Sequence, residues 1–215
     1  MIGKERLEQF RASIEEVNRK GIPGAIVEMG VWRGGAMAMA TACQKEYKAA
    51  GGPIDRDLFL FDAFEEIPKS SYGDASGFLF NTQQDVVDIF ESLGLMVPNV
   101  YFKKGLFQKT VPEMENDPLL AQIAVFRIDG NFYDSYHDAL YYGYEKIPVG
   151  GIVIFDDVMS HDEVMRAWKD FKQDQGLPET LNRIDTHSAW FRKEKLITVD
   201  KTKMKPPQDI NKPKE

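Results

Sequence analysis

The chain has 215 residues, 43% of them hydrophobic, and a formal net charge of −7. This is enough apolar content for one domain with a full core and little for two, and the acidic balance argues against a duplex nucleic-acid partner, which needs a basic face. A single cysteine, Cys43, permits no internal disulfide, the N-terminus from Met1 to Arg6 lacks an apolar leader, and no run approaches the ~20 apolar residues of a membrane span. A cytoplasmic, soluble protein with neither a membrane nor a nucleic-acid partner is expected; a homo-oligomer stays open.

In chain order, an amphipathic helix carries Leu7, Phe10, Ile14 and Val17, and Pro23-Gly24 stops it before a strand over Ala25 to Met29. A helix through Ala36 to Ala50 follows, with Cys43 as a buried, inert thiol. The second strand, Leu58 to Phe61, ends at Asp62. The irregular stretch from Ala63 to Thr82 has the length of a functional loop. Val86, Ile89, Phe90 and Leu93 then mark a helix at i, i+3, i+4, i+7. Strand three, Val100 to Phe102, runs to Gly105, and a short helical connection leads to strand four, Ile123 to Ile128.

The next helix places Tyr136, Ala139, Leu140, Gly143 and Ile147 on one face. Gly150-Gly151 opens strand five, Ile152 to Phe155, and a helix with Val164, Ala167, Trp168 and Phe171 in register closes at Gly176-Leu177-Pro178. Two last runs, Asn182 to Thr186 and Ala189 to Arg192, are separated only by His187-Ser188 and predict an antiparallel hairpin. The sum is an α/β fold: a Rossmann-like, mostly parallel seven-stranded sheet with a C-terminal antiparallel hairpin and helices on both faces. It forms a single domain over residues 1–197, and the lysine- and proline-rich segment 198–215 reads as a disordered tail.

Ligands of open parallel sheets sit outside the carboxyl ends of the strands. Here those ends carry Glu28, Asp62, Asp129 and the pair Asp156-Asp157. Any one of them is explained by a turn or a helix N-cap. Together they repel unless they share protons or a cation, and Asp129, Asp156 and Asp157 offer the hard oxygens that Mg²⁺ prefers. After the first strand the chain reads E-x-G-x-x-x-G-G, from Glu28 through Gly30 to Gly34-Gly35. Trp32 stands where a dinucleotide fingerprint needs its second glycine, so the loop leans toward S-adenosylmethionine and away from NAD.

The segments PGAIVEMGVWRGGA, DAFEEIP, KKGLFQKTVP, RIDGNFYDS and GGIVIFDDV, in this order, resemble the macrocin O-methyltransferase family of S-adenosylmethionine-dependent sugar O-methyltransferases, from the first helix to about Arg192. The resemblance implies the methyltransferase fold and a cofactor held by Glu28, Gly30, Trp32, Arg33, Gly34 and Asp62. It also implies Mg²⁺ held by Asp129, Asp156 and Asp157, and a small-molecule hydroxyl acceptor, a sugar or glycoside. One position departs from the pattern. The family typically reads DGDLYES after strand four and this chain reads Asp129-Gly130-Asn131-Phe132-Tyr133-Asp134-Ser135, so the proposed general base is replaced by an amide. An aromatic usual after the aspartate pair is replaced by Val158, and His161 on the same rim is the candidate substitute base, beside Asp129 and Asn131 in the catalytic set. Two alternatives stand beside sugar O-methylation: a non-catalytic S-adenosylmethionine-binding protein, which Asn131 keeps open, and methylation of a catechol-type acceptor.

Overall fold

The computed structural model describes residues 2–65 and 80–206. Its sheet has seven strands: β1 (Ala25–Met29), β2 (Leu58–Asp62), β3 (Val100–Lys104), β4 (Ile123–Ile128), β5 (Ile152–Phe155), β6 (Asn182–Arg183) and β7 (Ala189–Arg192), in the order β3-β2-β1-β4-β5-β7-β6. The first five pair in parallel, and β7 runs antiparallel to both β5 and β6. Strands covered on both faces must be apolar along their length, and β1, β2, β4 and β5 are buried at every position. The chain reverses direction of winding between β3 and β4, and β1 and β4 lie side by side at that switch, where open sheets bind ligands.

Alternation along the strands sorts the core into two layers. Ile26, Leu58, Leu60, Val125, Ile152 and Ile154 face α1 (Lys4–Arg19), α2 (Gly35–Ala49) and α3 (Gln83–Ser92), where they meet Phe10, Ile14, Met37 and Phe90. Val27, Phe59, Phe126, Val153 and Phe155 face the other way, toward α4 (Phe107–Glu113), α5 (Tyr133–Gly143) and α6 (Asp162–Gln175), meeting Tyr136, Leu140, Trp168 and Phe171. The helix α3 starts on a capping box: the Thr82 hydroxyl accepts from the Asp85 backbone N–H, and the Asp85 carboxylate accepts from the Thr82 N–H. Cys43 is buried in α2, its thiol directed at the Met39 sulfur.

Two expectations are corrected. The final hairpin is not a pair of four- or five-residue strands joined by His187-Ser188. β6 spans only Asn182–Arg183, and residues 184–188 form the connector, because the Asp185 carboxylate accepts from the backbone N–H groups of His187 and Ser188 and folds it as a turn. The tail does not begin disordered at Thr198. Val199 is buried, Lys201–Lys203 form a short 3-10 turn, the Lys205 N–H donates to His137 Nε2 at 3.1 Å, and the Lys205 ammonium reaches Asp170 at 2.5 Å. Residues 207–215, and 66–79 of the long loop after β2, lie outside the described residues. Among the described residues no helix is long and apolar enough to cross a membrane.

The closest constraint on the sheet is at Gly30, whose φ is +86° and where a Cβ would stand 2.0 Å from the Asp129 carbonyl oxygen. Gly35 has open space around its missing Cβ and is the first residue of α2. Gly30→Ala is therefore expected to cost at least about 3 kcal/mol, from left-handed strain plus a backbone clash, whereas Gly35→Ala should be neutral or stabilising by up to ~1 kcal/mol. Thermal unfolding of the two variants checks this; equal melting temperatures would show that the β1–β4 contact is not as tight as described.

Candidate active site

The site grows from two buried charges on adjacent strands. Glu28 and Arg127 occupy the penultimate positions of β1 and β4 and are register partners. Their side chains point to the α1 side of the sheet, as do those of Asp129 and Asp156, which continue the same alternation past the strand ends. Arg127 is 3% exposed and spends its guanidinium on three carboxylates: Glu28 Oε1 at 2.5 Å, Asp156 Oδ2 at 2.6 Å and Asp129 Oδ2 at 3.0 Å. A second arginine arrives from α1. Arg6 donates to Asp156 Oδ1 at 2.7 Å and pairs with Asp185 Oδ2 at 3.0 Å, and the buried Ser188 hydroxyl also donates to Asp156 Oδ1. The Tyr136 hydroxyl, from α5, bridges the carbonyls of Ile128 and Asp156, fixing the ends of β4 and β5 to each other.

These partners split the carboxyl groups by charge state. Burial works against an ionised Asp156, but Arg127, Ser188 and Arg6 outweigh it and hold the group down at about 2. Burial drives Asp129 well above the usual carboxylate range; Arg127 opposes this, while Asp156 and Asp157 add to it. The two neighbouring carboxyls are thus pushed in opposite directions, Asp129 up and Asp156 down. Asp157 is also raised, by burial and then by Asp156. Burial pushes Glu28 up to about 7 against the pull of Arg127. Its second oxygen, Oε2, is buried with no hydrogen-bond partner among the described residues.

The glycine turn lies beside Glu28. Asp62 ends β2 and its Oδ2 accepts from the backbone N–H groups of Val31 and Trp32, both at 2.8 Å, so the acid read from the sequence as a ligand contact braces the turn itself. The carbonyl of Trp32 accepts from the amide of the buried Asn81, at 2.5 Å. Trp32 has φ +47°, and the exposed Arg33 guanidinium stacks 5.1 Å from its ring centre. Gly34, at φ +77°, packs where a Cβ would stand 2.7 Å from Val86. All four non-glycine residues with positive φ among the described residues, Trp32, Phe64, Asn131 and Asp157, follow within three residues of a parallel strand's end. Backbone strain is thus concentrated on this rim.

Of the sequence-predicted residues, Glu28, Gly30, Trp32, Gly34 and Asp62 gather around one turn, with Arg33 on its outside. Asp129, Asp156 and Asp157 lie together at the neighbouring strand ends. Among the described residues no group of three or more His, Cys, Asp or Glu side chains converges in a way that could hold a metal ion, because Arg127 and Arg6 take the oxygens of Asp156. Asn131 sits in the left-handed turn after β4, a conformation that asparagine tolerates well. His161 is the exposed N-cap position of α6; its Nδ1 lies 3.0 Å from the Ser160 hydroxyl and 4.0 Å from Asp157 Oδ1. Sequence reading passed over Arg127, Arg6, Ser188 and Tyr136. A signal existed for Arg127, since a lone arginine inside an apolar strand needs a buried acid opposite, and Glu28 is the lone acid inside β1.

Comparison with known proteins identifies the lineage. Residues 1–193 match the model of the family described as Macrocin-O-methyltransferase (TylF). The chain belongs to the macrocin O-methyltransferase family. Among curated proteins it is 30% identical to demethyldecarbamoylnovobiocin O-methyltransferase of Streptomyces niveus, covering 90% of this chain and 75% of that one. It is also 30% identical to the 8-demethyl-8-(2,3-dimethoxy-alpha-L-rhamnosyl)-tetracenomycin-C 4'-O-methyltransferase of Streptomyces olivaceus, over 89% of this chain and 74% of that one. Among solved structures, that of the O-methyltransferase NovP superposes with a TM-score of 0.82 at 29% identity, over 90% of this chain and 81% of that one. The macrocin O-methyltransferase fold thus accounts for the sheet order and for the position of the rim, and the chain is an O-methyltransferase.

The Glu28 position carries a pH signature. Its ordinary value is 4.5 and its folded value about 7, so between these values the folded chain holds a proton that the unfolded chain releases. Its contribution, up to about 3 kcal/mol, is fully present below pH 4.5 and lost as pH rises through 7. Asp156 has the opposite sign in a lower window: its contribution is present above pH 3.8 and lost as pH falls through about 2. Glu28→Gln should flatten the melting-temperature profile between pH 4.5 and 7 and leave the acid limb in place. A wild-type profile that already lacks a decline over that interval would show that Arg127 keeps Glu28 ionised.

Proposed function

We propose that this chain, as a single domain, transfers the methyl group of S-adenosylmethionine to a hydroxyl of a sugar or glycoside, with Mg²⁺. Family membership supports the reaction class, and the rhamnosyl acceptor named for one relative supports the sugar. The observation that carries the cofactor is the buried, unpartnered Oε2 of Glu28 beside a glycine turn that is held open by Asp62 and Asn81. A buried carboxylate oxygen without a donor is costly, and a ligand ammonium or hydroxyl supplies one. Gly30, Gly34 and the strained Trp32 let the backbone come close to such a ligand, with Arg33 at the outer edge.

Methyl transfer from a sulfonium is an in-line displacement, so the protein's task is to hold the acceptor oxygen behind the methyl carbon, exclude water and ease loss of the hydroxyl proton. Asp129, Asp156 and Asp157 would hold a divalent cation with hard carboxylate oxygens: with Glu28 they make four rim carboxyls against two guanidinium groups, an excess of negative charge that a cation offsets. A bound Mg²⁺ supplies Lewis acidity that lowers the acceptor hydroxyl's pKa. Arg127 and Arg6 orient Asp156. His161 stands on the rim as the group that receives the proton, and Asn131, an amide that takes up no proton at neutral pH, holds the place of the family's base.

Calorimetric titration should show binding of S-adenosylmethionine and its demethylated product and none of NAD; the reverse preference overturns the cofactor assignment. Asp157 is the aspartate of the three whose carboxylate, among the described residues, no arginine hydrogen-bonds, and asparagine keeps its left-handed backbone. Asp157→Asn is therefore expected to fold normally, bind the cofactor as wild type does and lose at least about tenfold in Mg²⁺ affinity. Turnover indifferent to chelator would sink the metal assignment.

The amide at 131 is tested by restoring the acid. Asn131→Asp should raise the rate by up to ~10²–10⁴-fold, the range of a positioned base, without loss of stability, because aspartate also tolerates the left-handed turn. Should the rate instead stay level and His161→Ala abolish it, proton removal belongs to His161.

A further inference from the structure

An open basin of about 630 Å³ lies between the N-terminal end of α1 and the β6–β7 connector, on the carboxylate side of the sheet. Its wall includes Glu5, Arg6, Arg183, Asp185, Thr186 and His187. The basin adjoins the rim described above through Arg6, which donates to Asp156 Oδ1 and pairs with Asp185 across the basin. We infer that this basin is an acceptor subsite that holds an uncharged, polyhydroxylated unit, a second sugar ring next to the one that receives the methyl group. The inference rests on the sugar O-methyltransferase reading above.

The chemistry of the wall selects that class. Two cations, Arg6 and Arg183, stand against two anions, Glu5 and Asp185, so the basin has no net attraction for a charged ligand. Arg6 is already paired on both sides, to Asp156 and to Asp185, and the Arg183 Nε–H donates to the Asp185 carbonyl. Arg6 therefore presents no free fork to a diphosphate, and Arg183, which keeps only its terminal amino groups, stands beside Asp185 and Glu5, which oppose an anion there. What the wall does offer is a mixture of exposed donors and acceptors, with Thr186 and His187 beside Glu5, and hydroxyl groups, which donate and accept at once, use both. Ile184 is the one apolar side chain among the residues of the wall and none is an aromatic hydrocarbon ring, which leaves a flat catechol nothing to stack on. The volume is within the range of small-molecule sites.

The test uses full-length protein saturated with S-adenosylhomocysteine and Mg²⁺, titrated with methyl α-L-rhamnopyranoside, with the methyl glycoside of a rhamnose disaccharide, and with thymidine diphosphate rhamnose. The disaccharide should bind at least tenfold more tightly than the monosaccharide. Thr186→Trp, on the exposed connector, fills the basin and should erase that advantage while leaving the affinities for the monosaccharide and for S-adenosylhomocysteine unchanged. Arg183→Ala should cost the disaccharide a few-fold and the monosaccharide nothing. Disaccharide and monosaccharide bound equally well, or a disaccharide advantage that survives Thr186→Trp, overturns the subsite. Preference for the diphosphate sugar, lost in Arg183→Ala, overturns the uncharged class. Failure of S-adenosylhomocysteine itself to bind would instead overturn the parent reading of the reaction.

Discussion

The rim of the sheet depends on one buried guanidinium, that of Arg127. Arg127 sits inside the sheet with Glu28, Asp129 and Asp156 around it, and its guanidinium offsets the cost of burying Glu28 and Asp156, while Asp129 stays partly exposed. A hydrophobic pair at positions 28 and 127 would fill the same space at similar or greater stability. What it would not do is hold two neighbouring strand ends, and the aspartates they carry, to one geometry. The planar fork of arginine, hydrogen-bonding in fixed directions, provides that.

The remaining contacts extend this hub outward. Tyr136 ties the ends of β4 and β5 together from the α5 side, and Arg6 reaches the same aspartate from α1, so that helices from both layers of the sandwich meet at Asp156. Asp62 and Asn81 perform the equivalent service for the glycine turn, taking up backbone groups that left-handed residues expose. The rim is therefore rigid where charge has to be placed. The open basin at the β6–β7 connector lies on its outer side, where side chains are exposed and free to adapt.

Much of this was legible from the sequence. Fully apolar runs such as Ile152 to Phe155 and the helical spacing of Val164, Ala167, Trp168 and Phe171 report burial directly, and strand-end acids stand out because the chain turns immediately after them. The Glu28–Arg127 pair was not read, because it is a matter of register between segments 99 residues apart, and periodicity says nothing about which strand lies beside which. Arg6 belongs to a helix face that looks like an ordinary solvated one, and only the placement of α1 over the rim reveals its partner. The shortened β6 and the packed segment after Thr198 were misjudged for the same reason: local composition favoured strand in one case and disorder in the other, and contacts from distant residues decided both.

The approach of Gly30 to the carbonyl of Asp129 has a consequence for ligand order. The turn under the proposed cofactor and the peptide carrying the first rim aspartate are in van der Waals contact, with no side chain between them to absorb a displacement. Whatever shifts one backbone shifts the other. Any free energy that an occupant of the turn spends in moving Asp129 must be returned, in equal amount, by an occupant of the aspartate side moving the turn. Gly30 is thus a point at which the two halves of the cleft meet backbone to backbone, and any coupling between their ligands that passes through this contact is reciprocal.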